Sequence, residues 1–206
     1  MQLIKSVCVY CGSGLGRDPV HAESAALLGR RLAENNVTLV YGGGSLGLMG
    51  TVAKSVLAHG GKVIGIIPRF LIEREGMLDD MGEDYIITHD MHERKRLMFE
   101  KADAFVALPG GVGTLEELVE QLTWTQLGQH HKPVLIANFN NYWEPLLAML
   151  DHMQAHSFIR EGLMVPYHVA QTADEIVPML EEAAFEVLED GKHPKQTTLE
   201  EPLRSL

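Results

Sequence analysis

Short apolar runs alternate with longer amphipathic stretches along almost the whole chain. Six runs read as strands: Ser6 to Tyr10, Thr38 to Tyr41, Val63 to Ile67, Tyr85 to Thr88, Ala104 to Leu108 and Val134 to Ala137. Several are nearly continuous Val, Ile and Leu, the pattern of strands covered on both faces. Between them, apolar residues recur at helical spacing. His21 to Glu34 places Ala25, Leu28 and Leu32 on one stripe, and Leu46 to His59 does the same with Met49, Val52, Val56 and Leu57. Met91 to Lys101, Leu115 to Leu127, Trp143 to His156 and Ala173 to Leu188 complete the helical set.

Regular exchange of strand and helix predicts an α/β fold, a doubly wound parallel sheet that is Rossmann-like with helices on both faces. Ligands of such sheets bind at the carboxyl ends of the strands. Residues 1–189 read as one domain, and the polar stretch 190–206 reads as a loose tail. The connection from Pro68 to Asp84 is long for a strand-helix linker and carries Arg69, Glu73, Arg74 and Glu75. Long ordered connections in small domains often serve as lids or binding segments.

Composition narrows the class of partner. Of 206 residues, 46% are apolar, enough for a core. The net charge of −11, from 17 basic and 28 acidic side chains, opposes non-specific nucleic-acid binding, which depends on neutralising phosphates. No basic head and apolar core of a signal peptide open the chain, and no run approaches a membrane span. The expectation is a cytoplasmic protein with neither nucleic acid nor membrane as partner. Cys8 and Cys11 have C-x-x-C spacing, but they lie in and just after a strand, where residues three apart face opposite ways. They read as structural.

Three strand exits are rich in glycine: Cys11 to Gly16, Gly42 to Gly47, and Pro109 to Gly113. All three are expected on one edge of the sheet, where bare backbone approaches a ligand. Ser13, Gly43 and Gly44 are therefore candidate contacts. The Pro109 loop leads into a helix, and amides at a helix start attract phosphate. Gly42 to Gly47 also fits G-x-G-x-x-G. The dinucleotide fingerprint belongs after the first strand, with an acid at the tip of the next. Here that next strand exits into Pro68-Arg69, so a nicotinamide-dependent oxidoreductase is disfavoured.

Chemistry gathers in two places. Glu117 lies about one turn inside the helix after the Pro109 loop, with Glu116 and Glu120 as competitors for any catalytic role. Thr114-Leu115-Glu116-Glu117 also fits a capping box, in which the glutamate only secures the helix start. Asp90 to Arg96 opens another helix on the same edge. Arg94 suits the clamping of phosphate or sugar oxygens, while a solvated charged face capped by Asp90 fits the pattern equally. His152 and His156 lack a third metal ligand nearby and read as surface residues. His130-His131 reads as a solvated loop.

Pro109-Gly110-Gly111-Val112-Gly113-Thr114-Leu115-Glu116-Glu117 matches the pattern P-G-G-x-G-T-x-x-E, and Met91-His92-Glu93-Arg94-Lys95 matches M-x-x-R-K. Together they resemble the Lonely Guy (LOG) family of cytokinin riboside 5′-monophosphate phosphoribohydrolases, over about Lys5 to Leu180. The resemblance implies hydrolysis of the N-glycosidic bond of adenosine 5′-monophosphate or a cytokinin riboside 5′-monophosphate, giving free base and ribose 5-phosphate. It implies Arg94 and Glu117 as the catalytic pair. Lys95, Gly110, Gly111, Val112, Gly113, Thr114, Leu115 and Glu116 would line the substrate site, with Glu75 and Thr123 as further contacts.

The resemblance also implies a homodimer or higher homo-oligomer with active sites near the interface. The Met91 and Leu115 helices, with Trp124, form the candidate contact surface. No metal and no cofactor are expected. Relatives often carry the label lysine decarboxylase, which would call for pyridoxal phosphate on a lysine; neither the glycine loop nor Lys95 identifies such a site. The alternative reading is a nucleotide-binding or carrier module of the same fold without catalysis.

Overall fold

Seven parallel strands form a single sheet in the computed structural model, which describes residues 2–77, 84–160 and 164–192. In chain order the strands are β1 (Ser6–Tyr10), β2 (Thr38–Tyr41), β3 (Val63–Pro68), β4 (Tyr85–Thr88), β5 (Ala104–Ala107), β6 (Val134–Ala137) and β7 (His168–Ala170). The helices are α1 (Pro19–Glu34), α2 (Gly47–Ala58), α3 (Ile72–Glu75), α4 (Met91–Lys101), α5 (Val112–Gln126), α6 (Glu144–Ala155) and α7 (Ala173–Lys192). The sheet order is β4-β3-β2-β1-β5-β6-β7. This is the doubly wound α/β architecture expected from the alternating pattern.

Strand alternation divides the core in two. Along β1, Val7 and Val9 face one layer, with Ala25, Leu28 and Leu32 of α1, Val52 and Val56 of α2, and Ile176 and Leu180 of α7. Cys8 and Tyr10 face the other, with Met98 of α4 and Leu118 and Leu122 of α5. Each fully buried leucine contributes about 2–3 kcal/mol by leaving water. Cys8 and Cys11 fall in different layers as free, buried thiols, as their strand position predicts.

Local chemistry explains the helix starts. Asp18 accepts from the Val20 amide at 3.0 Å, and Pro19 begins α1 where its missing N–H costs nothing. Asp90 accepts from the Glu93 amide at 2.9 Å, while the Glu93 carboxylate accepts from the His89 amide at 2.8 Å. These reciprocal bonds fix the entry of α4 and so the heading of Arg94.

Several boundaries differ from those read in the sequence. The three-residue edge strand β7 has no apolar run long enough to announce it. Helix α5 starts at Val112, three residues before Leu115, because Gly111 is its N-cap. The capping box therefore fails: Thr114 lies inside the helix, and Glu117 is too deep to serve the helix start. Helix α7 continues to Lys192, beyond the expected end at Leu188. The remainder of the expected tail, 193–206, lies outside the described residues.

Candidate active site

Strands β1 and β5 are neighbours, and their exits turn to opposite faces, into α1 and α5. Such a reversal opens a crevice at the strand tips. Here it is a cleft of about 300 Å³, and all three glycine loops converge on it or support it. The Gly12 amide donates to the Pro109 carbonyl at 3.1 Å, and the Leu48 amide donates to the Gly12 carbonyl at 3.0 Å. The loops after β1, β2 and β5 thus hold one another. Gly110 has no room for a side chain, since a Cβ would press on Thr114 and lie 2.8 Å from the Gly12 nitrogen.

One end of the cleft is the start of α5. Gly111, Val112, Gly113 and Thr114 line it, and no side chain caps this helix. Its first amides and dipole make a seat for an anion. Ser13 of the β1 loop also lines the cleft, and the buried Thr114 hydroxyl faces the same region.

Arg94 and Glu117 line the same cleft. Only 6% of Arg94 is exposed. Its Nε donates to the Ile66 carbonyl and its Nη2 to the Gly42 carbonyl, each at 3.2 Å. The remaining nitrogen, Nη1, lies 3.9 Å from Glu117 Oε1 and 3.7 Å from Met91 Sδ. A Cβ at Gly42 would overlap Nη2, so glycine is what lets the guanidinium lie there. Burial pushes the Glu117 carboxyl up to about 7, and the attraction of Arg94 only partly offsets it.

The three neighbouring glutamates separate clearly. Lys95 Nζ binds Glu116 at 2.6 Å and Glu120 at 3.0 Å, whereas Glu117 turns inward. Burial pulls the Lys95 ammonium down, but its two carboxylate partners outweigh this and hold it above its ordinary value. Among the described residues no lysine lines the cleft. A Schiff-base lysine needs the opposite environment, desolvated and lowered in pKa, so this site does not fit pyridoxal phosphate. Nor does a thiolate nucleophile present itself, because burial pushes the Cys11 thiol well up.

Glu75, from the long connection, also lines the cleft. Gly44 lies against it, where a Cβ would come within 2.9 Å of the Met49 methyl and 3.3 Å of the Glu75 carboxyl, and the Gly43 carbonyl accepts from Tyr85 at 3.0 Å. Gly43 and Gly44 therefore shape the wall rather than line it. Gly110 lines an adjoining cavity with His21 and Tyr142. Leu115 packs into the core beneath α5. Thr123 is exposed on α5, donates to the Val119 carbonyl at 2.7 Å, and does not line this chain's cleft.

Sequence reasoning missed Met49, Met91 and Met98 as cleft walls, and Gly42 as the rest for Arg94. Met91 stood in the M-x-x-R-K motif, but the other signals look like ordinary helix stripe or loop. His130 is a correction: it is buried, not solvated, packing against Phe99 and Phe105 at centroid distances of 5.2 and 5.7 Å. Burial lowers its pKa to about 4, so it stays neutral.

Crevice, uncapped helix start and buried acid-guanidinium pair define the class: a Rossmann-type α/β protein with a candidate small-molecule site at its strand tips. The profile of the family described as "Possible lysine decarboxylase" matches residues 49–180. Cytokinin riboside 5′-monophosphate phosphoribohydrolase LOG of Oryza sativa subsp. japonica is 47% identical over 178 residues, covering 86% of this chain and 73% of the relative. Its counterpart LOG7 of Arabidopsis thaliana is 47% identical over 179 residues, covering 86% and 82%. The chain belongs to this family, the Lonely Guy family. The molybdenum cofactor carrier protein of Chlamydomonas reinhardtii shares the fold, with a TM-score of 0.62 at 20% identity over 86% of this chain and 96% of that one.

Proposed function

We propose that the protein hydrolyses the N-glycosidic bond of a cytokinin riboside 5′-monophosphate or of adenosine 5′-monophosphate, releasing free base and ribose 5-phosphate. The observation that carries this reading is the buried Glu117 carboxyl beside the fixed Arg94 guanidinium, in a cleft that ends in the uncapped start of α5. The relatives named above support the same reaction. A carrier module would share the fold and the anion seat but would have no use for a buried, ionisable acid at the sugar position.

Breaking the bond develops positive charge on the ribose, as in other glycosidic cleavages. Ionised Glu117 stabilises that charge and takes a proton from the attacking water. Arg94 holds sugar or phosphate oxygens and sets the reacting geometry. The amides of Gly111 to Thr114, with the Thr114 hydroxyl, seat the 5′-phosphate. The decisive experiment compares isopentenyladenosine 5′-monophosphate with isopentenyladenosine. Free base appears from the monophosphate much faster than from the nucleoside if the seat works as assigned.

The assembly proposed is a homodimer through the outer face of α5. Val112, Val119 and Leu127 are exposed at helical spacing, Val112 by 83% and Leu127 by 66%. Thr123 lies on this same stripe, so in a dimer it faces the partner rather than its own cleft. Trp124 packs edge-on against Phe99 at 5.2 Å and supports the stripe from beneath. Among the described residues no helix is long and apolar enough to cross a membrane. The free thiols of Cys8 and Cys11 suit a reducing compartment, in keeping with a cytoplasmic enzyme.

A further inference from the structure

Departure of the base raises a demand that Glu117 and Arg94 do not meet. When the glycosidic bond breaks, its electron pair goes to the base, and a purine anion is a poor leaving group unless a proton reaches one of its ring nitrogens. Arg94 is permanently charged and tied to two carbonyls. Glu117 is assigned to the water. Two other acids line the cleft among the described residues: Glu116, whose exposed carboxylate is held by Lys95 at 2.6 Å, and Glu75, which has no such cation on it.

Glu75 is held by its backbone while one of its carboxyl oxygens finds no hydrogen bond among the described residues. The Ser45 amide and hydroxyl both donate to its backbone carbonyl, at 3.0 and 3.1 Å. Gly76 follows with φ of 64°, a turn that ends α3 directly after it. Its Oε2 is buried and has no hydrogen-bond partner among the described residues. A buried polar atom without a partner is costly, and a protein retains one where a ligand completes it. Among the described residues the titratable groups that bear on this carboxyl are Arg94 of α4, Glu117 of α5 and the Cys11 thiol after β1, with Gly44 and Met49 as uncharged neighbours.

We propose that Glu75 is the general acid of the reaction, entering the cycle as a neutral carboxylic acid and donating its proton to a ring nitrogen of the departing base. This rests on the hydrolase reading above and goes beyond it. The bond from the anomeric carbon to the base nitrogen breaks, and the oxygen of water forms the new bond to that carbon. The proton from water goes to Glu117, and the proton of Glu75 goes to the base. Each turnover leaves Glu75 ionised and Glu117 protonated, and one proton exchanged through solvent restores both. Burial raises the Glu75 carboxyl above its ordinary range despite Arg94, which favours the proton-bearing form.

The test uses two leaving groups on the purified full chain. Adenosine 5′-monophosphate needs a proton on its base, whereas 4-nitrophenyl β-D-ribofuranoside 5-phosphate releases a phenolate that needs none. Glu75→Gln is expected to lower kcat for adenosine 5′-monophosphate by about a hundredfold or more, the usual scale of a lost general acid. Its kcat for the nitrophenyl substrate is expected within about fivefold of wild type, which also demonstrates a folded, loaded site. Equal losses on both substrates would make Glu75 a binding or structural residue and overturn the proposal, as would undiminished turnover of adenosine 5′-monophosphate. Failure of the wild type to release adenine or a cytokinin base would instead remove the hydrolase reading itself.

Discussion

Glu117 and Arg94 meet inside the protein at 3.9 Å, close enough to feel each other's charge and too far for a hydrogen bond. The separation follows from the other bonds of Arg94. With Nε on Ile66 and Nη2 on Gly42, the guanidinium cannot swing to form a two-pronged pair with the carboxylate. Glu117 therefore stays poised near neutrality, and the guanidinium keeps a free edge toward the cleft. Both conditions serve a group that must act as a base beside a developing cation.

Replacing Glu117 by Gln keeps the shape and removes the charge. Turnover is expected to fall about a hundredfold or more, with binding of the nucleotide retained. Single-turnover kinetics together with calorimetric titration separate the two quantities. Near-normal turnover in the folded variant would remove Glu117 from the mechanism.

The pKa of Glu117 makes the reaction and the fold respond to pH. A base must be ionised, so, against the falling limb that the need for a neutral Glu75 imposes, Glu117 gives kcat a limb that rises as pH rises through about 7. Stability runs the other way. The folded pKa stands above the ordinary 4.5, so the native state binds this proton more tightly than the unfolded chain does. The benefit is whole below pH 4.5 and is lost as pH rises through about 7. At pH 8, Glu117→Gln is accordingly expected to unfold later than wild type, by on the order of 2–3 kcal/mol, and denaturant titration at pH 5 and pH 8 reads the difference.

Gly42 tests the support of Arg94 without touching a charge. Gly42→Ala places a methyl where Nη2 lies. Displacing the guanidinium is expected to lower kcat by about tenfold to a hundredfold, the range for a misplaced reacting group. Circular dichroism would show the fold retained.

The first turn of α5 is read as the phosphate seat, and Thr114→Ala examines it. The variant is expected to weaken binding of nucleoside 5′-monophosphates while leaving the corresponding nucleosides unchanged. Losing one hydrogen bond to a charged group corresponds to about 1.5–3 kcal/mol. Equal weakening for both ligand types, measured by calorimetry, would contradict the assignment.

The sheet was legible in the sequence because buried parallel strands write themselves as apolar runs. Six of the seven strands announced themselves in this way, and His168 to Ala170, an edge strand of three residues, did not. The site was half legible. Glycine loops and Arg94 could be placed on the functional edge, yet spacing alone left Glu116, Glu117 and Glu120 unseparated. What separates them is tertiary: Lys95 reaches across from α4 to claim two, and the sheet buries the third. A trace of this existed in the pattern, since Thr114, Glu117, Gln121 and Thr125 put polar residues on the buried stripe of α5. His130 was misread because a polar loop sequence does not reveal that Phe99 and Phe105 enclose the ring.

Assembly gives a further prediction. Val119→Glu sets a charge in the exposed stripe of α5, away from the core. Light scattering is expected to show the variant at the mass of a single chain where the wild type runs as a dimer or larger. An unchanged mass would move the interface elsewhere.

The most direct measurement is the time course of free base and ribose 5-phosphate from adenosine 5′-monophosphate or isopentenyladenosine 5′-monophosphate, run in parallel with wild type and Glu117→Gln. The account predicts equal molar amounts of the two products from at least one of these nucleotides with wild type, and near loss of both with the variant. Intact nucleotide bound by the wild type with no base released, or base released equally by the variant, would contradict it.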